Sequence, residues 1–190
     1  KVHAVVPVRE FTDDHYLMMG TSLGIIKRTA LREFSRPRRA GIRAINLLDN
    51  EKLVDVKVTD GERDMIMASS SGMAIRFKES DARTMGRATE GVRGIALRKE
   101  DYVVGMVIVH DDATLLVVSE HGMGKRTEVD AYRMQKRGGK GVINLKTSEK
   151  TGLVVAIKAV ADDEQLMMIT RKGVVNRQHV AAIRTIGRAT

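Results

Sequence analysis

The chain has 190 residues, is 43% hydrophobic, and carries 33 Lys and Arg against 24 Asp and Glu, a net charge of +9. It holds no cysteine, which excludes disulfides and zinc–thiolate sites and fits a reducing, cytosolic setting. No apolar run approaches a membrane span, and a signal peptide is not visible, because His3 and Pro7 break the first apolar run.

In chain order the sequence reads as strands and turns that recur. "KVHAVVPV" at the start matches "KLVDVKVT" (52–59) and "YVVGMVIV" (102–109), so the chain opens on a strand edge. "MMGTSLGIIKR" (18–28) is an apolar strand, a small polar turn, Gly24 and, four residues on, Arg28. The pattern returns as "MASSSGMAIR" (67–76), "VVSEHGMGKR" (117–126) and "MITRKGVVNR" (168–177). Gly24, Gly72, Gly122 and Gly173 are therefore spaced 48, 50 and 51 residues apart, each followed by its Arg: Arg28, Arg76, Arg126 and Arg177. A second series, Gly41, Gly91 and Gly141, is spaced by 50, and each member opens an apolar run. The tetrapeptide Gly-Arg-Ala-Thr occurs at 86–89 and again at 187–190. One period holds about four short strands, and no stretch shows sustained helical periodicity with caps. This predicts an all-β fold, a propeller or a related closed array, formed as a single domain over 1–190. The repeats are expected at about 2–51, 52–101, 102–151 and 152–190, the last of them incomplete.

The charges follow the period. An acid lies ten residues before each first glycine: Asp14, Glu62, Asp112 and Asp163. These suit hairpin turns, and no converging partner makes a metal site of them. The five histidines show no ligand spacing. Cations fall in two other places. One is beside the Arg of each first glycine, at Lys27, Lys78 and Lys125. The other is the loop before each second glycine: Arg36, Arg38 and Arg39; Arg83 and Arg87; Arg133, Lys136, Arg137 and Lys140; Arg184 and Arg188. In a ring of sheets, equivalent positions reach the same rim, so a continuous basic rim is expected along one edge. Such an excess suits a polyanion. Aromatics make up only 3%, too few to stack single-stranded bases, so double-stranded DNA held by its phosphates is the expected partner. A curved basic rim implies bent DNA, gripped without sequence readout.

The densest basic loop, "MQKRGGKGVINL" (134–145), is not a nucleotide-binding P-loop. Gly139-Lys140 is followed by Gly141, which has no magnesium-binding hydroxyl, and Met134 stands where the first glycine is needed. Gly124-Lys125 fails likewise, with Arg126 after it and Ser119 before it.

Gln135-Lys136-Arg137-Gly138-Gly139-Lys140-Gly141 closely resembles the box of the DNA gyrase A protein, with Lys136 where the consensus has Arg. "AIRFKESDARTMGRATEGVRGI" (74–95) and "GTSLGIIKRTALREF" (20–34) are similar to the same domain. The resemblance covers the whole chain and implies the C-terminal β-pinwheel family, whose six blades wrap duplex DNA so that a bacterial type II topoisomerase can introduce negative supercoils at the expense of ATP. It implies a non-catalytic domain without a cofactor of its own, since ATP, magnesium and the nucleophilic tyrosine act elsewhere in the enzyme; Tyr16, Tyr102 and Tyr132 sit in no such motif. The implied partners are duplex DNA, the remainder of the gyrase A protein, and gyrase B in an A2B2 heterotetramer, in the bacterial cytoplasm at the nucleoid. The chain looks like the last four of six blades. The family's principal box lies in its first blade, whereas this one lies in the third visible repeat. The alternatives are the topoisomerase IV counterpart, whose box is absent or degenerate, and a protein-interaction propeller, which would show aromatic or Trp-Asp signatures; Trp is absent here.

Overall fold

A computed structural model describes residues 2–190. In each repeat the first glycine closes a hairpin: β1 (Tyr16–Thr21) with β2 (Ile25–Ala30), β4 (Asp64–Ser69) with β5 (Met73–Lys78), β8 (Thr114–Ser119) with β9 (Gly124–Glu128), and β12 (Gln165–Ile169) with β13 (Val175–His179). The turns are equivalent, as the spacing predicts. Gly24, Gly72, Gly122 and Gly173 all have positive φ, 81°, 84°, 78° and 81°. Each donates its N–H to the carbonyl three residues back, on Thr21, Ser69, Ser119 and Thr170, at 2.9–3.1 Å. A side chain disfavours this φ, which is why glycine recurs.

A third strand pairs antiparallel with the first strand of each of three hairpins: β3 (Leu53–Thr59) on β1, β7 (Val103–Ile108) on β4, and β11 (Val154–Val160) on β8. Before β7 and β11, the long loop carries a two-residue strand, β6 (Val92–Arg93) and β10 (Val142–Ile143). These short strands join the sheet of the preceding repeat. The sheet orders are β3-β1-β2-β6, β10-β5-β4-β7, β11-β8-β9 and β12-β13. The sheets thus run out of phase with the sequence repeat: β3, β7 and β11 open its periods yet complete the sheets before them. Residues 2–8, expected as a strand, form none. A strand of that phase pairs with a preceding hairpin, and among the described residues no hairpin precedes Tyr16.

The exchange is anchored on the hairpin glycines. Gly24 O accepts from the N–H groups of Gly94 and Ile95 (2.7 and 3.2 Å), and Gly72 O from those of Asn144 and Leu145 (2.7 and 3.2 Å). The core lies between successive sheets. The period-two pleat of β4 sends Met65 and Met67 into a cluster with Met18, Ile26, Ile95 and Met106, and Ile66 and Ala68 into one with Leu115, Val117, Tyr132 and Ile157. Leu116, Val160 and Val180 form the third. No helix among the described residues is long and apolar enough to cross a membrane.

The acids predicted at turns are there: Glu62 links β3 to β4, Asp112 (φ 62°) links β7 to β8, and Asp163 links β11 to β12. Asp14 precedes β1. Among the described residues no group of three or more His, Cys, Asp or Glu could hold a metal ion.

Two equivalent turns separate the cost of the backbone from the cost of the exchange. A Cβ at Gly122 would meet nothing within 4 Å, whereas one at Gly72 would lie 2.0 Å from Leu145 O. Gly122→Ala should cost about 1–2 kcal/mol, the left-handed backbone penalty alone. Gly72→Ala should cost more, because the exchanged segment must shift. Urea unfolding of the two variants measures the difference, and equal losses would show that the docked strand contributes nothing.

Candidate nucleic-acid interface

The three later basic loops, at 82–91, 132–141 and 183–190, each cross the end of the preceding hairpin. Short parallel bridges mark the crossings, at Arg28 with Thr84, Arg76 with Met134, and Arg126 with Thr185. This crossing decides which of the predicted rim cations reach solvent.

The cations beside the first glycines mostly do not. Lys27 is 0% exposed and donates to the carbonyls of Ala44 (2.7 Å), Thr89 (3.2 Å) and Arg87. Lys125 is 3% exposed and donates to Gly187 O (2.7 Å), Arg188 O and Thr190 Oγ1 (3.1 Å). Arg126, 5% exposed, donates Nε–H to Ile183 O at 2.9 Å and pairs with Asp162. The expectation that Lys27, Lys125 and Arg126 lie on the rim is therefore corrected: the next repeat covers them, and its loop supplies most of their acceptors. Arg76 is turned inward, bonded to Asp64 (2.8 Å) and Val129 O (3.2 Å). Arg28 lies half-buried, 4.5 Å from the centroid of the Tyr16 ring. Lys78 is exposed but paired with Asp64 at 2.8 Å, and exposed Arg177 donates to Gln165 Oε1 at 2.5 Å.

The loop series is different. Arg36, Arg38, Arg39, Arg83, Arg133, Lys136, Lys140 and Arg184 are all exposed, and Arg83, Arg133 and Arg184 fall at the same position of successive repeats. Arg87, Arg137 and Arg188 are half-buried. Arg137 donates to Asp81 O (2.8 Å) and Arg93 O (3.0 Å); Arg188 donates to Ala131 O (3.1 Å) and Ile143 O (2.6 Å). These two guanidinium forks tie each loop to the repeat before it.

In the box itself, Gln135 N–H donates to Arg76 O (2.9 Å), Gly138 N–H to Gly94 O (2.6 Å), and Gly139 O accepts from Ala96 (2.8 Å). Gly141, at φ 74°, leaves no room for a side chain: its Cβ would lie 2.3 Å from Ala74 O. So the glycines seat the loop against its neighbours, and Lys136 and Lys140 are left facing solvent. The structure adds two exposed cations, Arg43 and Arg93. Their signal was present in Gly41-Ile42-Arg43 and Gly91-Val92-Arg93, two residues past each second glycine.

Burial pushes the Lys27 ammonium down to about 8, and burial together with the Arg188 charge does the same for Lys125. Burial alone would raise Asp64, but Lys78 and Arg76 hold its carboxyl below the ordinary value. Burial pushes the Tyr132 hydroxyl up to about 12, and it donates to Asn144 Oδ1 at 2.6 Å.

Successive antiparallel sheets, the first three completed by strands from the next repeat and rimmed by cationic loops, define a propeller-type repeat domain. The chain belongs to the family described as DNA gyrase C-terminal domain, beta-propeller, which matches residues 15–60, 63–110, 113–161 and 164–190. It is 43% identical over its whole length to the DNA gyrase A protein of Salmonella typhimurium, and 46% identical over 180 residues (94% of the chain) to that of Haloquadratum walsbyi. It spans only 22% and 21% of those proteins. Among solved structures, a DNA gyrase A C-terminal domain superposes with a TM-score of 0.86 at 30% identity, covering 95% of this chain and 61% of the other. The C-terminal domain of a DNA topoisomerase IV superposes with a TM-score of 0.91 at 24% identity, covering 97% and 58%, which shows the shared fold.

The buried lysines give a pH dependence with a definite sign. Below pH 8 the folded and unfolded chains both hold these protons, and the cost of burying the ammonium is present in full. Between about 8 and 10.5 the unfolded chain keeps protons that the folded chain has released, so stability rises with pH. The urea midpoint of the natural chain, relative to that of Lys27→Met/Lys125→Met, should climb across this window. A constant difference would mean that neither lysine is desolvated in the folded chain.

Proposed function

We propose that the chain is a DNA-wrapping segment of a gyrase A protein, which holds duplex DNA by its phosphates along the loops between blades. The observation that carries this reading is the recurrence of exposed cations in equivalent loops, at Arg36, Arg38 and Arg39, at Arg83, at Arg133, Lys136 and Lys140, and at Arg184. Sequence relatives named as DNA gyrase A proteins, together with the near-complete box, favour gyrase over topoisomerase IV. In this role the chain positions DNA and does no chemistry. Strand cleavage, ATP and magnesium belong to the remainder of gyrase A and to gyrase B in an A2B2 assembly, working on the bacterial chromosome in the cytoplasm. The wrap fixes the sign of the crossing presented for strand passage, which only supercoiling requires.

Binding should be indifferent to sequence and strongly salt-dependent. With about six phosphates neutralised, log K should fall with log salt at a slope of roughly −5. A slope near zero, or a preference for single strands, would rule the reading out.

The box can be tested apart from the fold, because Lys136 and Lys140 face solvent while Arg137 is tied to backbone. Lys136→Ala/Lys140→Ala should leave the urea midpoint within about 0.5 kcal/mol of the natural value, as for most surface changes. It should reduce ring closure of short duplexes and, in the assembled enzyme, supercoiling, while relaxation and cleavage persist. Unchanged ring closure and supercoiling would mean that this loop is not a working box.

A further inference from the structure

The repeated Gly-Arg-Ala-Thr loops and the box occupy the same position in successive repeats, yet different residues underlie them. Lys27 lies beneath 86–89 and Lys125 beneath 187–190; the equivalent residue beneath the box is Ile75, buried against it. The difference sets the direction of the loop's peptide groups. Lys27 draws the carbonyl of Arg87 inward and shares that of Thr89 with the Asn46 N–H (3.0 Å), and Lys125 draws those of Gly187 and Arg188. All peptides among the described residues are trans, and in a trans peptide the N–H points opposite to the C=O. The N–H groups of Ala88, Glu90, Arg188 and Ala189 are thus turned away from the buried ammonium, and none of them donates to any group in the described chain. Ala88 and Glu90 are exposed, and Arg188 and Ala189 are half-buried. In the box the corresponding peptide is reversed. Gly138, at φ 83°, sends its N–H inward to Gly94 O, so the Arg137 carbonyl faces outward.

We infer that the two Gly-Arg-Ala-Thr loops are backbone phosphate sites, with Lys27 and Lys125 as positioning residues that hold the N–H donors outward for phosphodiester oxygens. The inference rests on the DNA-binding reading above and divides the rim into two kinds of contact. Over a lysine, the loop offers main-chain donors, a usual source of phosphate contacts. Over Ile75, the loop offers a carbonyl, and Lys136 and Lys140 supply the attraction instead. Glu90, exposed beside the first site where the box has Lys140, weakens that site relative to the one at 187–190. Neither lysine can touch DNA itself, so any effect of replacing it on DNA contact is transmitted through the loop.

The test is hydrogen–deuterium exchange of the protein with and without a short duplex, followed peptide by peptide over 86–90, 134–141 and 187–190. Duplex should slow exchange at 86–90 and 187–190 by about tenfold, the factor one hydrogen bond to a charged acceptor provides. In Lys27→Met the protection should vanish at 86–90 and persist at 187–190 and over the box. In Lys125→Met the loss should move to 187–190. A purely structural role would instead raise exchange without DNA, across the neighbouring strands as well. If duplex binds and protects the box but leaves 86–90 and 187–190 unchanged in the natural protein, the inference is wrong and the wrapping role stands. Protection that survives at 86–90 in Lys27→Met overturns it too. If no duplex binds at any salt, the wrapping role itself fails.

Discussion

The structure depends on the pair of hydrogen bonds that a hairpin glycine carbonyl accepts from the next repeat. Gly24 O and Gly72 O each take two N–H groups from the segment that follows the second glycine. That contact pins the far end of a loop of about ten residues, so the loop must cross the edge of the neighbouring sheet instead of folding onto its own. The exchange needs a turn whose backbone the incoming carbonyl can approach closely, and a Cβ would block it, at 2.8 Å from Ile95 O over Gly24 and 2.0 Å from Leu145 O over Gly72. The glycine is thus required twice, once for its φ and once for its missing side chain. The rim loops lie at successive sheet borders because this anchor repeats.

The crossing also explains why a net charge of +9 does not map directly onto the surface. Wherever a loop passes over a strand, its inward carbonyls need donors, since a buried polar group without a partner costs free energy. The chain supplies them from its own cations, the ammonium groups of Lys27 and Lys125 and the guanidinium of Arg126, while the forks of Arg137 and Arg188 reach from the loop to carbonyls of the repeat before it. A long cationic side chain suits the task because it reaches several carbonyls while they stay fixed by their own backbone. The cations left for a polyanion are the ones that point away from the crossing.

This is where the sequence was legible and where it was not. The period of about 50 residues gave the all-β repeat, and the first glycines marked equivalent turns, because a positive φ leaves a strong residue-type signature. The exchange was hidden. A two-residue strand such as Val92–Arg93 carries no pattern saying which sheet it joins. Among the cations, Lys27 and Lys125 look like Lys78 or Lys140 in composition, and only their register tells them apart. The residue before the arginine that follows each first glycine runs Lys27, Ile75, Lys125 and Asn176. An isoleucine in that series shows that the position faces inward, since a rim position has no use for a buried aliphatic side chain. Reading the repeat by column, not by local charge density, would have separated struts from contacts.

The column reading also bears on why one chain would keep two kinds of loop. Bending duplex through 40–90° over 20–30 base pairs costs roughly 1–6 kcal/mol, which contacts along the path must offset. A contact made by a lysine side chain gives back part of its gain in rotamer entropy, up to about 2 kcal/mol per side chain. A contact made by a main-chain N–H already fixed by a buried ammonium gives back almost none, but it cannot adjust to a phosphate that lies out of place. On the proposed reading, loops over Lys27 and Lys125 set the path at fixed points, and the box over Ile75, with its free Lys136 and Lys140, follows the backbone between them. The burial of an uncharged residue under the most basic loop is consistent with this division, because a further ammonium there would sit beneath three cations in a medium that screens them poorly.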